Sequence, residues 1–380
     1  MDLIKTISQE FPQREGLTYL NHAGVAPWPK RTAEAIKRFA DENVRQGPVD
    51  YARWLEVEKE LREQLRQMLN APARDDIALL KNTSEGLSVI AYGLAWQRGE
   101  NIVISDQEFP SNRIVWESLQ DQGVEVRQAD LNTGQSPEDA LFTLVDHRTR
   151  LIAISSVQYA TGLRMDLGRI GGFCHDRDIL FCVDAIQSLG AFRMDVQAIH
   201  ADFVVADGHK WMLGPEGIAV FYCRPEIRDR LSLRQFGWHM VENQGDYDHK
   251  DWQIARTARR FECGSPNMLG IHGLNASLSL MLEIGMDNVE RMILENSSCM
   301  IHNIIECADL ELMTPAYPGR YAGIVTFRHK TVESARLYGY LREQGIICAV
   351  RRHGIRFSPH FYVAAGKLEK ALQVCTGDYG

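Results

Sequence analysis

Neither glycine signature of the nucleotide-binding α/β enzymes occurs in the 380-residue chain. There is no Gly-x-Gly-x-x-Gly after a strand-like run and no Gly-x4-Gly-Lys-Ser/Thr. The eight cysteines form no Cys-x-x-Cys pair and show no zinc spacing with histidine. They read as reduced thiols, several inside apolar runs such as Leu180 to Val183. A basic excess is also missing: the formal net charge is −8. Without that excess the chain has no electrostatic footprint for a phosphate backbone. The run Arg256 to Arg260 is a local exception and reads as a solvated or site-lining patch. No apolar stretch is long enough to cross a bilayer. The N-terminus Met-Asp-Leu-Ile-Lys-Thr lacks the basic-then-apolar layout of a signal peptide. The expectation is a soluble, cytoplasmic protein without a nucleic-acid or membrane partner. Repeats, low-complexity segments and Pro/Ser-rich linkers are lacking as well.

What remains is an ordinary globular composition, 45% hydrophobic and 24% charged. The length exceeds a usual single core, so a large domain plus a smaller one is expected. Residues 29–69 read as two helices. From about 77 to 223, short apolar runs alternate with amphipathic stretches. The runs are Ile77–Leu80, Asn101–Ile104, Leu151–Val157, Ile179–Asp184, Phe203–Ala206 and Gly217–Tyr222. Near-continuous runs of this kind suit strands buried on both faces of a mostly parallel sheet flanked by helices. A long helical region over 267–308 leads to a small α+β unit. That unit comprises Ile324–Phe327, a helix near 332–343, Ile347–Arg351 and Ile355–Ser358. The predicted division is residues 1–280, an N-terminal segment with the large domain, and residues 281–380, the small one.

The chemistry concentrates where the predicted strands end. Lys210 lies in Asp207-Gly208-His209-Lys210-Trp211, downstream of a buried run that ends at Asp184. A lysine in apolar surroundings holds a neutral, nucleophilic amine suited to a Schiff base. A desolvated Asp at a strand end needs a cationic partner, and a protonated pyridine nitrogen would serve. Pyridoxal phosphate requires both groups. Asn82-Thr83-Ser84-Glu85-Gly86 opens a helix, and its free N–H groups with the Thr and Ser hydroxyls form a natural phosphate seat. Taken alone, it is also a plain helix cap. Phe109 in Glu108-Phe109-Pro110-Ser111-Asn112 can stack on a flat ring; a core aromatic is the other reading. Gln187 could reach the cofactor's phenolate oxygen. Arg351, Arg352 and Arg356 offer guanidinium groups for a substrate carboxylate, or else form a surface cluster. Strand parity would put 352 and 356 on one face and 351 on the other, unless a turn at His353-Gly354 changes it.

With these motifs in order, the chain resembles the class V aminotransferase family of fold-type I pyridoxal-phosphate enzymes. That family includes cysteine desulfurases, cysteine or cystine C–S lyases and isopenicillin-N-epimerase-like proteins. The ordered set runs from Tyr19–Gly24 through Asn82–Gly86, Glu108–Asn112, Ser155–Gly162 and Val183-Asp184 with Gln187. It continues through Gly208–Trp211 and Gly214–Gly217 to Arg260–Asn267. The resemblance implies that Lys210 bears the cofactor, Asp184 pairs with the pyridine nitrogen and Phe109 stacks on the ring. It places Thr83, Ser84 and His209 at the phosphate, with Ser265 arriving from a second subunit of a homodimer. Gln187 and Tyr159 would approach the ring oxygen. His22, in the lyase- and epimerase-like Asn21-His22-Ala23, and Arg351 or Arg356 would meet the substrate.

Two departures bear on function. Asp207 stands where many relatives have a phosphate-donating Ser or Thr, so it is left out of the phosphate site. In one desulfurase branch the nucleophilic Cys lies in Arg-x-Gly-His-His-Cys-x-x-Pro. Here the matching stretch is Arg351 to Pro359, and Arg356 replaces that Cys. Cys348 is nearby but reads as packed. The expectation is a pyridoxal-phosphate enzyme acting on a small α-amino acid, leaning to C–S β-elimination. Transamination and epimerisation are the alternatives, and a persulfide-forming desulfurase is disfavoured.

Overall fold

The computed structural model describes residues 3–248 and 250–377. Its largest element is a seven-stranded sheet. The strands are β1 (Ile77–Leu80), β2 (Asn101–Ser105), β3 (Glu125–Ala129), β4 (Thr149–Ser155), β5 (Leu180–Asp184), β6 (Phe203–Asp207) and β7 (Ala219–Cys223). Their spatial order is β1-β7-β6-β5-β4-β2-β3. From β6 to β3 every pairing is parallel, and only β7 runs against its neighbours β1 and β6.

Each residue of β2, β5, β6 and β7 is buried. The reason is coverage on both sides. Val103, Ile152, Phe181 and Val204 face one core, while Ile102, Leu151, Leu180 and Phe203 face another. Helices cover both faces, as parallel strands require. Six of the seven strands coincide with the apolar runs in the sequence. The exception is β3, whose Glu-Val-Arg-Gln-Ala is mostly exposed or half-buried. As the edge strand it needs no continuous apolar run.

The predicted helical region 267–308 is two helices, Met268–Ile284 and Met286–Glu306. Gly285 separates them with a φ of +85°, a left-handed conformation that favours glycine. The chain then builds a four-stranded antiparallel sheet from β8 (Leu310–Leu312), β9 (Val325–His329), β10 (Ala349–Arg351) and β11 (Gly354–Phe357). Its order is β10-β11-β9-β8. Helices Ser334–Glu343 and Ala365–Val374 pack with it around Phe327, Phe357, Leu337 and Leu368. Leu20 joins this core, and Thr18-Tyr19 pair in parallel with Ile346-Ile347. We propose that the small unit begins near residue 280, with the segment around residues 18–22 docked on it from the other end of the chain.

In register, Ser155 lies beside Asp184, and Asp184 beside Val205. The carboxyl ends of β4, β5 and β6 therefore form one rim. Open α/β sheets bind ligands outside such a rim.

Candidate active site

Asp184 closes β5 and is 2% exposed. Its Oδ1 accepts the Ile186 N–H at 3.0 Å. Burial pushes its carboxyl up to about 7, and the nearby Glu108 carboxylate adds to the rise. The Ile186 N–H and Lys210 oppose the shift. A buried acid with so little compensation is poised for a cationic partner.

Lys210, 8% exposed, sits beyond the end of β6. Burial pulls its amine down to about 8; Arg356 and Arg351 act in the same direction, and Asp184 and Asp207 against it. The turn that presents it is tightly fixed. Leu213 N donates to Lys210 O at 3.0 Å, and Gly214 N donates to Gly208 O at 2.8 Å. Gly190 makes room for this turn: a Cβ there would lie 2.4 Å from Trp211 O. The buried Trp211 indole donates to Gln187 Oε1 at 2.9 Å, and Gln187 Nε2 donates to Ala23 O at 3.1 Å. Gln187 thus braces the wall of the cleft through both ends of its amide.

Phe109 presents a partly exposed ring, and Lys210 Nζ lies 5.5 Å from its centroid. Tyr159 meets Phe109 edge-on at 5.1 Å. The loop bearing Phe109 is held by Glu108, whose role the sequence reading missed. The buried Glu108 carboxylate accepts from Ser105 Oγ, Asn112 Nδ2, Gln158 Nε2 and both the N–H and hydroxyl of Ser155. These bonds tie the loop to the end of β4.

Helix Thr83–Gly93 points its N-terminus at the same rim. Asn82 caps it by accepting from Glu85 N at 2.9 Å. Gly86 lets the helix approach β6, because a Cβ there would lie 2.7 Å from Val205 Cγ1. Thr83 is buried, and its enclosed Oγ1 faces the Asp207 carboxylate without a fully formed hydrogen bond among the described residues. Ser84 Oγ donates to Ser111 Oγ at 2.9 Å, joining two helix starts. Asp207 turns towards this seat. Burial raises its carboxyl to about 6, opposed by the Thr83 amide, Lys210 and the Thr83 hydroxyl, yet its Oδ1 makes no formed hydrogen bond. His209, half-buried, has Nδ1 3.9 Å from Asp207 Oδ2, and burial and Lys210 lower its ring to about 4.

Arg356 is 1% exposed and has no carboxylate partner among the described residues. Its Nη1 donates to Tyr159 O at 2.8 Å and its Nη2 to Asn21 Oδ1 at 3.1 Å, while Nε is enclosed and unpaired. Burial, with Arg351 adding to it, lowers this guanidinium to about 9. The strand parity expected from the sequence is corrected. Residues 352 and 353 form a two-residue turn, with Arg351 opposite Gly354 and Ala349 opposite Arg356. Arg351 and Arg356 therefore share a face, and Arg352 lies in the turn.

Two other sequence-derived candidates meet other partners: the His22 ring packs 6.4 Å from that of Trp211, and Ser265 lies in a second cavity. His22 is wholly buried; its Nδ1 donates to Ser358 O at 2.8 Å and its Nε2 accepts from Tyr362 Oη at 2.7 Å. Both ring nitrogens are engaged, so Asn21 rather than His22 reaches the cleft, through Arg356. Ser265 is exposed in a separate cavity of about 450 Å³ with Lys81, Glu85 and Cys263. Within one chain it does not join the Lys210 cluster. A further group, Glu58, His239 and Glu262, lies close enough to share a cation, but Arg62 already bridges both carboxylates.

The cleft fits pyridoxal phosphate by its own chemistry. An enclosed unpaired hydroxyl at a helix N-terminus matches the phosphate, a buried acid matches the pyridine nitrogen, and a buried amine matches the aldehyde.

A family model described as Aminotransferase class-V matches residues 18–364. A probable cysteine desulfurase of Methanothermobacter thermautotrophicus is 28% identical over 352 residues, covering 91% of this chain and 86% of the relative. An uncharacterized aminotransferase of Bacillus subtilis, YcbU, is 26% identical over 364 residues, covering 96% and 95%. Among solved structures, the cystine C–S lyase C-DES in complex with its product cysteine persulfide gives a TM-score of 0.89 at 22% identity, covering 96% of this chain and 99% of that one. The apo cysteine desulfurase of Thermococcus onnurineus NA1 gives 0.87 at 24% identity, covering 98% and 97%. These structural likenesses establish the fold-type I architecture. With the family model spanning most of its length, the chain belongs to the class-V aminotransferase family of pyridoxal-phosphate enzymes.

Proposed function

We propose that the protein cleaves the C–S bond of a small α-amino acid, cysteine or cystine in kind, by β-elimination and without a sulfur-carrying thiol of its own. The observation that carries this reading is Arg356 in the place of the desulfurase branch's cysteine, with the neighbouring Cys348 thiol buried and held protonated. Cys348, the sequence neighbour, is 3% exposed within the small core, and burial pushes its thiol up to about 12. A thiol so protonated is no nucleophile near neutral pH. Cys174, Cys182, Cys223 and Cys375 are buried as well, and Cys263 lies in the cavity with Ser265.

When bound, pyridoxal phosphate supplies an electrophilic carbon and a ring that accepts the electron pair of the broken α-C–H bond. The protein's own groups do the rest. Thr83, Ser84 and the helix N–H groups would hold the phosphate. Asp184 would offer its buried carboxyl to the ring nitrogen, and Phe109 would offer its partly exposed ring as a stacking face. His209 would stand beside the phosphate, Tyr159 would approach the ring oxygen, and Gln187 would reach it with the second Nε2 hydrogen left by its bond to Ala23 O. Arg356 orients the substrate carboxylate. Lys210, neutral above about pH 8 in the empty site, removes the α-proton. Sulfur departs with the C–S electron pair, and the released enamine hydrolyses to pyruvate and ammonia. The assembly is a homodimer in which Ser265 serves the partner's phosphate seat.

Incubation with cysteine and with cystine tests the reaction. Pyruvate released together with sulfide or persulfide supports elimination. A keto acid with aminated cofactor, or alanine with sulfur passed to a reductant, would replace the reading by transamination or desulfuration.

A further inference from the structure

An acid stands in the seat that the helix N-terminus offers to a phosphate. Many relatives have Ser or Thr at the last position of β6, and this chain has Asp207. Strand parity decides which way it points. Val205 belongs to the core beneath helix Thr83–Gly93 and Ala206 to the core on the opposite face, so Asp207 shares the helix side with Val205. Gly86 brings the helix down onto Val205, which sets its N-terminus against this end of the strand. The backbone of Asp207 is fixed there. It pairs with Ala219 of β7, and Gly208 N donates to Ile218 O at 2.9 Å.

Asp207 is 9% exposed, and its Oδ1 is enclosed without a formed hydrogen bond. Groups from several elements face it. Thr83 turns its amide and hydroxyl towards it from the helix. His209, with Nδ1 at 3.9 Å, and Lys210 stand on the turn after β6, Glu216 follows that turn, and Asp184 ends β5. Two of these neighbours are acids, and Lys210 is the amine committed to the cofactor's aldehyde. A phosphate monoester bears between one and two negative charges near neutral pH, with a second pKa of about 6. Seated on Thr83, it meets a carboxylate already directed at the same donors. Like charges in one buried seat do not both stay ionised, and the pair holds a proton in common. Burial has moved the Asp207 carboxyl in that direction, up to about 6.

We propose that Asp207 belongs to the phosphate seat as a neutral acid that donates its own O–H to a phosphate oxygen, so that anchoring the cofactor takes up one proton. The hydroxyl of the relatives is replaced by a donor that exists only while protonated. This holds whichever reaction follows, because it concerns anchoring alone. Before binding, Asp207 and the free phosphate are both ionised above about pH 6. After binding, the pair keeps one proton. Affinity for the phosphate therefore falls as pH rises above that value, by up to about tenfold per unit. At lower pH the proton is present beforehand and the dependence fades.

Dissociation constants of pyridoxal phosphate and of pyridoxal would be measured by equilibrium dialysis at pH 7 and pH 8.5, for the full-length protein, Asp207→Asn and Asp207→Ser. The two ligands share ring and aldehyde, so their ratio cancels the titrations of Lys210 and Asp184. In the wild type the preference for the phosphorylated form should shrink by roughly 10- to 30-fold between the two pH values. Both variants donate without titrating, so their preference should stay nearly constant and exceed that of the wild type at pH 8.5. Urea midpoints report that each variant is folded, and Asn matches Asp in shape. A wild-type preference that does not change with pH would overturn the proposal, since Asp207 would then stay clear of the phosphate or exclude it. An equal loss with pH in both variants would overturn it too, because another group would be carrying the proton.

Discussion

Replacing Asp184 by Asn should stabilise the cofactor-free protein while disabling it. The folded carboxyl titrates near 7, against 3.8 for a free one. A folded pKa raised above the unfolded value means that the folded state holds the proton more tightly. The acid's penalty is therefore absent below the unfolded pKa, grows through the window between the two values, and is complete above about 7. At roughly 1.4 kcal/mol per unit, the cost reaches on the order of 4 kcal/mol at pH 8 but only on the order of 1–2 kcal/mol at pH 5. Asn has no such titration. The stability of Asp184→Asn relative to wild type should rise by about 2–3 kcal/mol between pH 5 and pH 8. Lys210 would also lose the carboxylate that raises its pKa, so its amine should titrate below its present value. Thermal or urea unfolding of the cofactor-free proteins at the two pH values measures the difference. An advantage that is the same at pH 5 and pH 8, or larger at pH 5, would refute the argument that Asp184 is a strained buried acid awaiting a cation. With cofactor bound, the ordering should reverse, because the pyridinium supplies the partner that Asn cannot use.

Glu108→Ala should release the loop bearing Phe109, since buried donors from Ser105, Asn112, Ser155 and Gln158 lose their acceptor. At about 1–3 kcal/mol for each group left unsatisfied, a loss of several kcal/mol is expected in urea denaturation, with weaker cofactor retention by equilibrium dialysis. Arg62→Ala should cost roughly 3–5 kcal/mol, because Arg62 bridges the buried Glu58 at 2.6 Å and Glu262 at 2.8 Å and leaves both uncompensated. A change in the urea midpoint too small for that figure would show that these carboxylates find other partners.

The strands that carry the site were legible because they are buried on both faces and so read as unbroken apolar runs. The edge strand β3 and the short β8 were not, since one side of each is polar or the run is too brief to register. Lys210, Asp184, Thr83 and Phe109 stood out as candidates from their places after those strands, and the fold brings Lys210 near Asp184 and Phe109. The pairing of Arg351 with Arg356 was not, because it depends on a turn of two left-handed, non-glycine residues that carries no sequence signal. The engagement of His22 was equally hidden: its partners Ser358 and Tyr362 lie 336 and 340 residues away. Glu108 is conspicuous only once Ser155, distant in sequence, is seen donating to it. Ser265 belongs to a cavity apart from Lys210, and a single chain does not bring the two together.

The measurement that tests the central claim most directly is the site of covalent attachment. The protein would be incubated with pyridoxal phosphate, reduced with borohydride, digested and read by mass spectrometry alongside Lys210→Ala. The account predicts one stoichiometric pyridoxyl adduct on the peptide containing Lys210, and none on the variant. An adduct on another lysine such as Lys81, or an equal adduct on Lys210→Ala, would contradict it.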